Sequence, residues 1–270
     1  PAKLKAMEQS AKGLQEGSFY RTPINVTFED GLNHVGVIQH ACNGCGDCVT
    51  GCNYRAKNTT LMNYIPDAKN HGAEIFTEVD VRYLEQEDDA WLVHYHLADS
   101  GQEKFGERTL FVSADMVILG AGSLGSTEIL LRSGEQGLDL SNRVGHRFTG
   151  NGDFLGFGYN NDVRANAIGM GHKEPEPGDP VGPCITGIID LRNGSEKNRE
   201  GMVIEEGVAP GPISAIMVPA LEFAANTIGL DTDSGFADFF RELWRKFRSL
   251  FGGAYTGAVE NTMTYLVMTH

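Results

Sequence analysis

Residues 114–125 read Ala114-Asp115-Met116-Val117-Ile118-Leu119-Gly120-Ala121-Gly122-Ser123-Leu124-Gly125. The first half is apolar without polar alternation, the pattern of a strand covered on both faces. It runs directly into G-x-G-x-x-G, and helical spacing continues through Arg132. A glycine turn between such a strand and a helix lets backbone approach a pyrophosphate and aims helix-terminal amides at it. The same turn is also what any tight strand-to-helix corner requires, and the pattern alone leaves both readings open. A dinucleotide unit further needs an acid about 20 positions on, at the end of a second strand. Asp139 has the spacing, but the intervening helix and Gly137 leave no room for that strand. This turn is therefore not the first nucleotide loop of a dinucleotide fold.

Upstream, Ala73–Glu85, Trp91–Leu97 and Arg108–Val112 are strand-like and separated by turn residues, a three-stranded meander. Residues 2–17 carry apolar side chains at helical spacing. Thr262–His270 is a β-branched and apolar run, and beyond Gly150 the texture turns to glycine, proline and short strands. The expected fold class is mixed α/β and α+β: part of a Rossmann-like FAD/NAD(P)-binding domain with a β-meander, plus part of an antiparallel-sheet substrate domain. The expected division is 1–72, a helical linker region with a cysteine-rich loop; 73–150, the nucleotide-binding part; and 151–270, the substrate domain. The first residues show no apolar leader and the last stop inside a strand pattern, so the reading expects an internal fragment and, by default, a cytoplasmic protein. A net charge of −14 supplies no basic face for nucleic acid.

Cys42, Cys45, Cys48 and Cys52 follow C-x2-C-x2-C-x3-C, the spacing of bacterial ferredoxin iron ligands. Asn53 stands where ferredoxins usually have proline. Three or four of these thiols could hold an iron–sulfur cluster, with Cys184 as a distant reserve. Zinc, disulfides and unligated thiols are the competing readings. His34, His40, His71, His94 and His96 share no metal spacing.

Val203–Pro210 places Glu205 and Glu206 at the end of an apolar run, by default a solvated strand end. From Phe236 to Phe251 aromatic residues recur at helical spacing between Arg241, Arg245, Lys246 and Arg248. Core packing or a lid is the expected use of that apolar stripe, with peripheral membrane contact as the alternative.

The block Val117–Gly134, VILGAGSLGSTEILLRSG, resembles the second signature of the glucose-methanol-choline family of flavin oxidoreductases. Thr149-Gly150-Asn151-Gly152-Asp153 is similar to that family's flavin-side loop, and Val79–Leu84 to its meander strand near the adenine. The resemblance spans most of the chain and is densest over residues 56–155. It implies FAD as cofactor, with Val81, Gly120, Ala121, Gly122, Asn151, Gly152 and Asp153 around it. The resemblance to sterol-oxidising members implies Glu206, or the family's late histidine, as the base acting on a small-molecule substrate, a bulky apolar alcohol such as a sterol, and some dehydrogenase members imply a cluster passing electrons to an external acceptor. The family's first glycine loop and its late histidine have no counterpart here, so the fragment alone is expected to bind FAD poorly and to be inactive. The alternative from another class is a ferredoxin-like electron-transfer or metal-binding module without flavin catalysis.

Overall fold

The computed structural model describes residues 1–98, 109–171, 174–192, 201–230 and 235–269. They form two compact units, one of residues 1–71 with 150–270, the other of residues 72–149. The amino-terminal segment thus folds together with the carboxyl-terminal half.

The larger unit is built on an antiparallel five-stranded sheet. Its strands are β1 (Ser18–Arg21), β7 (Phe154–Gly158), β8 (Gly187–Asp190), β9 (Met202–Gly207) and β10 (Met263–Thr269), in the order β1-β8-β9-β10-β7. Helix α1 (Ala2–Leu14) lies against one face, where Ala6 and Met7 pack with Ile189, Ile204, Met263 and Tyr265. It stops at Gln15, whose φ of 56° is left-handed. The strand pattern seen at the carboxyl end is β10. A second cluster joins α4 (Ser214–Ile228) and α6 (Gly257–Glu260) through Met217, Val218, Leu221 and Val259. Between them runs α5 (Phe236–Gly252), the expected aromatic helix. A short pair, β2 (Gly31–Leu32) and β3 (Ile38–Gln39), precedes the cysteine loop, and α2 (Tyr64–Asn70) follows it.

The smaller unit is the meander of β4 (Val79–Glu87), β5 (Ala90–Leu97) and β6 (Leu110–Ala114), with α3 (Gly122–Glu135) packed on β4. The β4–β5 hairpin turns on Asp88, at φ 49°, a left-handed geometry that aspartate tolerates. Buried His94 bonds Glu85 at 2.9 Å and stacks on Tyr83 at 4.2 Å, which satisfies it structurally. Ser133 Oγ accepts from the Leu84 amide at 2.8 Å, and the Arg132 guanidinium donates to the carbonyl of Arg82 at 2.7 Å.

The doubly covered strand expected over 114–119 does not form. β6 ends at Ala114, and Met116 and Ile118 are 76% and 85% exposed. A strand of that kind exists only with hydrogen-bonded neighbours and helices over both faces, and no described strand pairs with residues 115–121. Among the described residues no helix is long and apolar enough to cross a membrane.

Candidate functional site

In the smaller unit the glycine turn opens α3. Gly122 has φ 73°, and a Cβ added at Gly120 or Gly122 would meet nothing within 4 Å. No side chain caps the helix, and the Ala121 amide donates to Ser126 Oγ at 3.1 Å. An open turn with uncapped first-turn amides favours an anionic oxygen. No described side chain lies within 4 Å of a Cβ added at Gly120 or Gly122, so the donors and free space of this turn fit the phosphate portion of a flavin nucleotide. Val81, on β4, lies away from this turn: its carbonyl accepts from Arg132 Nη2 at 3.3 Å, and Arg132 is ten residues beyond Gly122, about 15 Å along the axis of α3.

In the larger unit, Asn151, Gly152 and Asp153 lead into β7. Asn151 and Gly152 both have positive φ, 61° and 73°. A Cβ on Gly152 would stand 2.5 Å from Thr269 Oγ1, which itself donates to the Gly152 carbonyl at 3.0 Å. Glycine is therefore needed here to seat the loop on the end of β10.

Successive side chains of a strand point to opposite faces, so Glu205 and Glu206 divide. Glu206, the expected base, is fully buried on the α1 side. Its Oε1 forms an ion pair with equally buried Lys3 and accepts from the Thr186 amide at 2.6 Å and the Thr186 hydroxyl at 2.5 Å. Lys3 also donates to the Pro183 carbonyl at 2.7 Å. Glu206 Oε2 is buried with no hydrogen-bond partner among the described residues. Glu206 thus sits in a buried charge pair on the α1 side of the sheet and not on its open face.

Glu205 faces the other way. Its cross-strand neighbours are Ile188 on β8 and Leu266 on β10, and Leu266 is in turn opposite Leu155 on β7. Leu155 and Phe157, on that face of the edge strand, are 59% and 44% exposed. Burial first, and then the like charge of Asp153, holds the Glu205 carboxyl above its ordinary range. A half-buried carboxyl poised above its usual pKa beside an open apolar face has the chemistry of a proton acceptor for an apolar substrate.

Sequence reading missed Lys3, Asp153's coupling to Glu205 and Asp47. Lys3 could have been found, because it shares a helical stripe with buried Ala6 and Met7, and a lysine there requires a buried acceptor.

The four clustered cysteines line one small pocket with Val26, Asn43, Asp47 and Tyr54, and all are free thiols. They do not complete a ligand set. Among the described residues no group of three or more histidine, cysteine, aspartate or glutamate side chains is placed to hold a metal ion. Burial, partly offset by amides of Gly44 and Asp47, pushes the Cys42 and Cys45 thiols up. The iron–sulfur expectation from spacing is thus not supported by the geometry, and the thiols do not fit a cluster as arranged.

What the motif visibly does is fasten a loop. Gly44 and Gly46, at φ 75° and 84°, press against Pro180 and Val181, where a side chain would collide. Buried Asp47 accepts the amide of Gly171, and that of Gly211 at 2.8 Å, joining three loops. Asp47→Ala leaves both amides unsatisfied and should cost about 2–4 kcal/mol, with Asp47→Asn intermediate, read by urea denaturation.

Comparison with known proteins gives one family. The model of the GMC oxidoreductase family matches residues 11–150. A cholesterol oxidase of Acinetobacter baumannii is 31% identical over 142 residues, which cover 49% of this chain and 24% of that protein. A cholesterol oxidase of Mycobacterium tuberculosis is 29% identical over 127 residues, 46% of this chain and 22% of that protein. The chain therefore matches about a quarter of the length of these curated relatives.

Proposed function

The chain belongs to the GMC oxidoreductase family, and on that premise we propose that the intact protein oxidises the CH–OH group of a bulky, apolar, sterol-like alcohol, with FAD as its cofactor. The flavin of this family supplies the acceptor for the hydride that leaves the carbinol carbon. Glu205 takes the hydroxyl proton, so that the alcohol loses one hydride and one proton and becomes a carbonyl. Glu206, held by Lys3 and Thr186, fixes β9 and with it the position of its neighbour. Leu155 and Phe157 hold the apolar body of the substrate. In the turn of Gly120, Ala121 and Gly122, the Ala121 amide is taken by Ser126 Oγ, and the amides of Gly122 and Ser123 would be the donors to a phosphate of the cofactor. Val81 in the smaller unit, and Asn151, Gly152 and Asp153 in the larger, are the other positions that the family resemblance assigns to the cofactor. Electrons leave to an external acceptor, and no step passes through the cysteines.

The observation that carries this reading is Glu205, raised in pKa beside Asp153 and bordering exposed apolar residues of the edge strand. The sterol class is further supported by what both matched relatives are called. The test is anaerobic mixing of the intact, flavin-loaded protein with alcohols of graded size. A 3β-hydroxysteroid should bleach the flavin band at least about tenfold faster than a short-chain alcohol, given the gain of about 0.8 kcal/mol per buried methylene. Equal rates would reject the bulky-substrate reading, and dye reduction without any flavin band would reject the whole proposal.

A further inference from the structure

Helix α5 is docked by the side that sequence reading places outside. Arg245 Nε donates to Asn160 Oδ1 at 2.7 Å, its Nη2 to the Asn160 carbonyl at 2.9 Å, and its Nη1 pairs with Asp162 at 2.9 Å. Ser249 Oγ bonds the Thr256 carbonyl at 2.5 Å and accepts from the Val259 amide at 3.0 Å. Gly257 lets the loop close on the Arg245 carbonyl, where a side chain would collide. The polar face is the attached one. The apolar face, carrying Phe236, Phe240, Leu243, Trp244, Phe247 and Phe251, is more than half exposed at every one of these positions. Core packing, the expected use of the stripe, is not what the described residues provide.

The charges are arranged around that face with a definite sign. At 100° per residue Lys246 borders one edge of the stripe, Arg241 and Arg248 border the other, and Asp238 and Glu242 fall on the docked side. Arg241 is engaged by Asp162 and Asp238, whereas Lys246 and Arg248 make no ion pair with any described residue. A chain of net charge −14 thus presents, on one helix about 25 Å long, an aromatic face with cations along both borders and no carboxylate on it. This is the arrangement that complements a negatively charged headgroup layer over hydrocarbon, with rings at acyl depth and cations at the phosphates.

We propose that the apolar face of α5 docks the protein on an anionic lipid bilayer. The proposal stands apart from the substrate reading, because its test reads vesicle binding and not turnover.

The intact protein is sedimented with vesicles of phosphatidylcholine, alone or doped with phosphatidylglycerol. It should pellet with the anionic vesicles, much less with the neutral ones, and less again as salt is raised. Lys246→Gln/Arg248→Gln should weaken anionic binding about thirtyfold, at about 1 kcal/mol for each cation near the surface. Trp244→Ser/Phe247→Ser should abolish binding to either vesicle. Both variants change exposed positions, so their thermal unfolding should match that of the unaltered protein. Failure to pellet with anionic vesicles, or undiminished binding by either variant, overturns the proposal. Two other results would do the same. If Trp244→Ser/Phe247→Ser converts an oligomer to a monomer in sedimentation velocity without affecting vesicle binding, a second copy covers the face. If the thiol of Phe247→Cys, followed by peptide mass spectrometry, resists a water-soluble maleimide in vesicle-free protein, another part of the same polypeptide covers it.

Discussion

Lys3→Ala should lower the unfolding free energy of the protein by about 3–5 kcal/mol, and Glu206→Ala by a similar amount. Both side chains are fully buried, 203 residues apart in sequence, and each is the other's charged partner. Removing either leaves a buried ion facing carbonyl or hydroxyl groups that cannot compensate it. The energy at stake is the penalty of the stranded charge and not the net worth of the pair, which predicts a specific asymmetry. The double variant Lys3→Met/Glu206→Leu should recover most of the loss, because two apolar side chains of similar bulk need no partner. Urea denaturation monitored by circular dichroism reads all three variants. Loss below about 1 kcal/mol in the single variants would mean that water reaches the pair and that it behaves as a surface ion pair.

The contrast between what could and could not be read in the sequence follows from range. The meander was legible because its signals are local: alternation within each strand, and Asp88 at the hairpin corner. Helix α3 was legible from its glycine start and apolar spacing, as was α5 from its aromatic period. The direction in which α5 faces was not. Periodicity defines a stripe but not what it meets, and the docking is decided by Asn160 and Asp162, over 80 residues away. The run 114–119 misled for a related reason, since hydrophobicity signals that a segment needs cover and cannot supply it. The cysteine spacing is the most specific local pattern in the chain. Yet its glycines and Asp47 answer to Pro180, Val181, Gly171 and Gly211, which only the fold brings near. Choosing between Glu205 and Glu206 likewise required strand register. A one-residue difference sends one carboxyl to Lys3 and the other to the apolar face.

That choice gives the largest functional effect. Glu205→Gln in the intact, flavin-loaded protein should reduce kcat by about 10²–10⁴-fold, the usual contribution of a positioned general base, with little change in KM. The residual rate should also lose its acid limb. In the unaltered protein the base must be deprotonated, and its pKa is raised by burial and by Asp153. Activity should therefore fall as pH drops through a value above the ordinary glutamate range. The cross-strand neighbours Ile188 and Leu266 carry no charge, which leaves Asp153 as the electrostatic contributor to that shift. Asp153→Asn removes a like charge, so the limb should move to lower pH, but only part of the way, because desolvation is the greater cause and remains. Glu206→Gln supplies the control: it should lower stability through Lys3 while leaving the acid limb where it was. A limb that disappears with Glu206→Gln and persists in Glu205→Gln would return the base to the buried position and reverse the assignment.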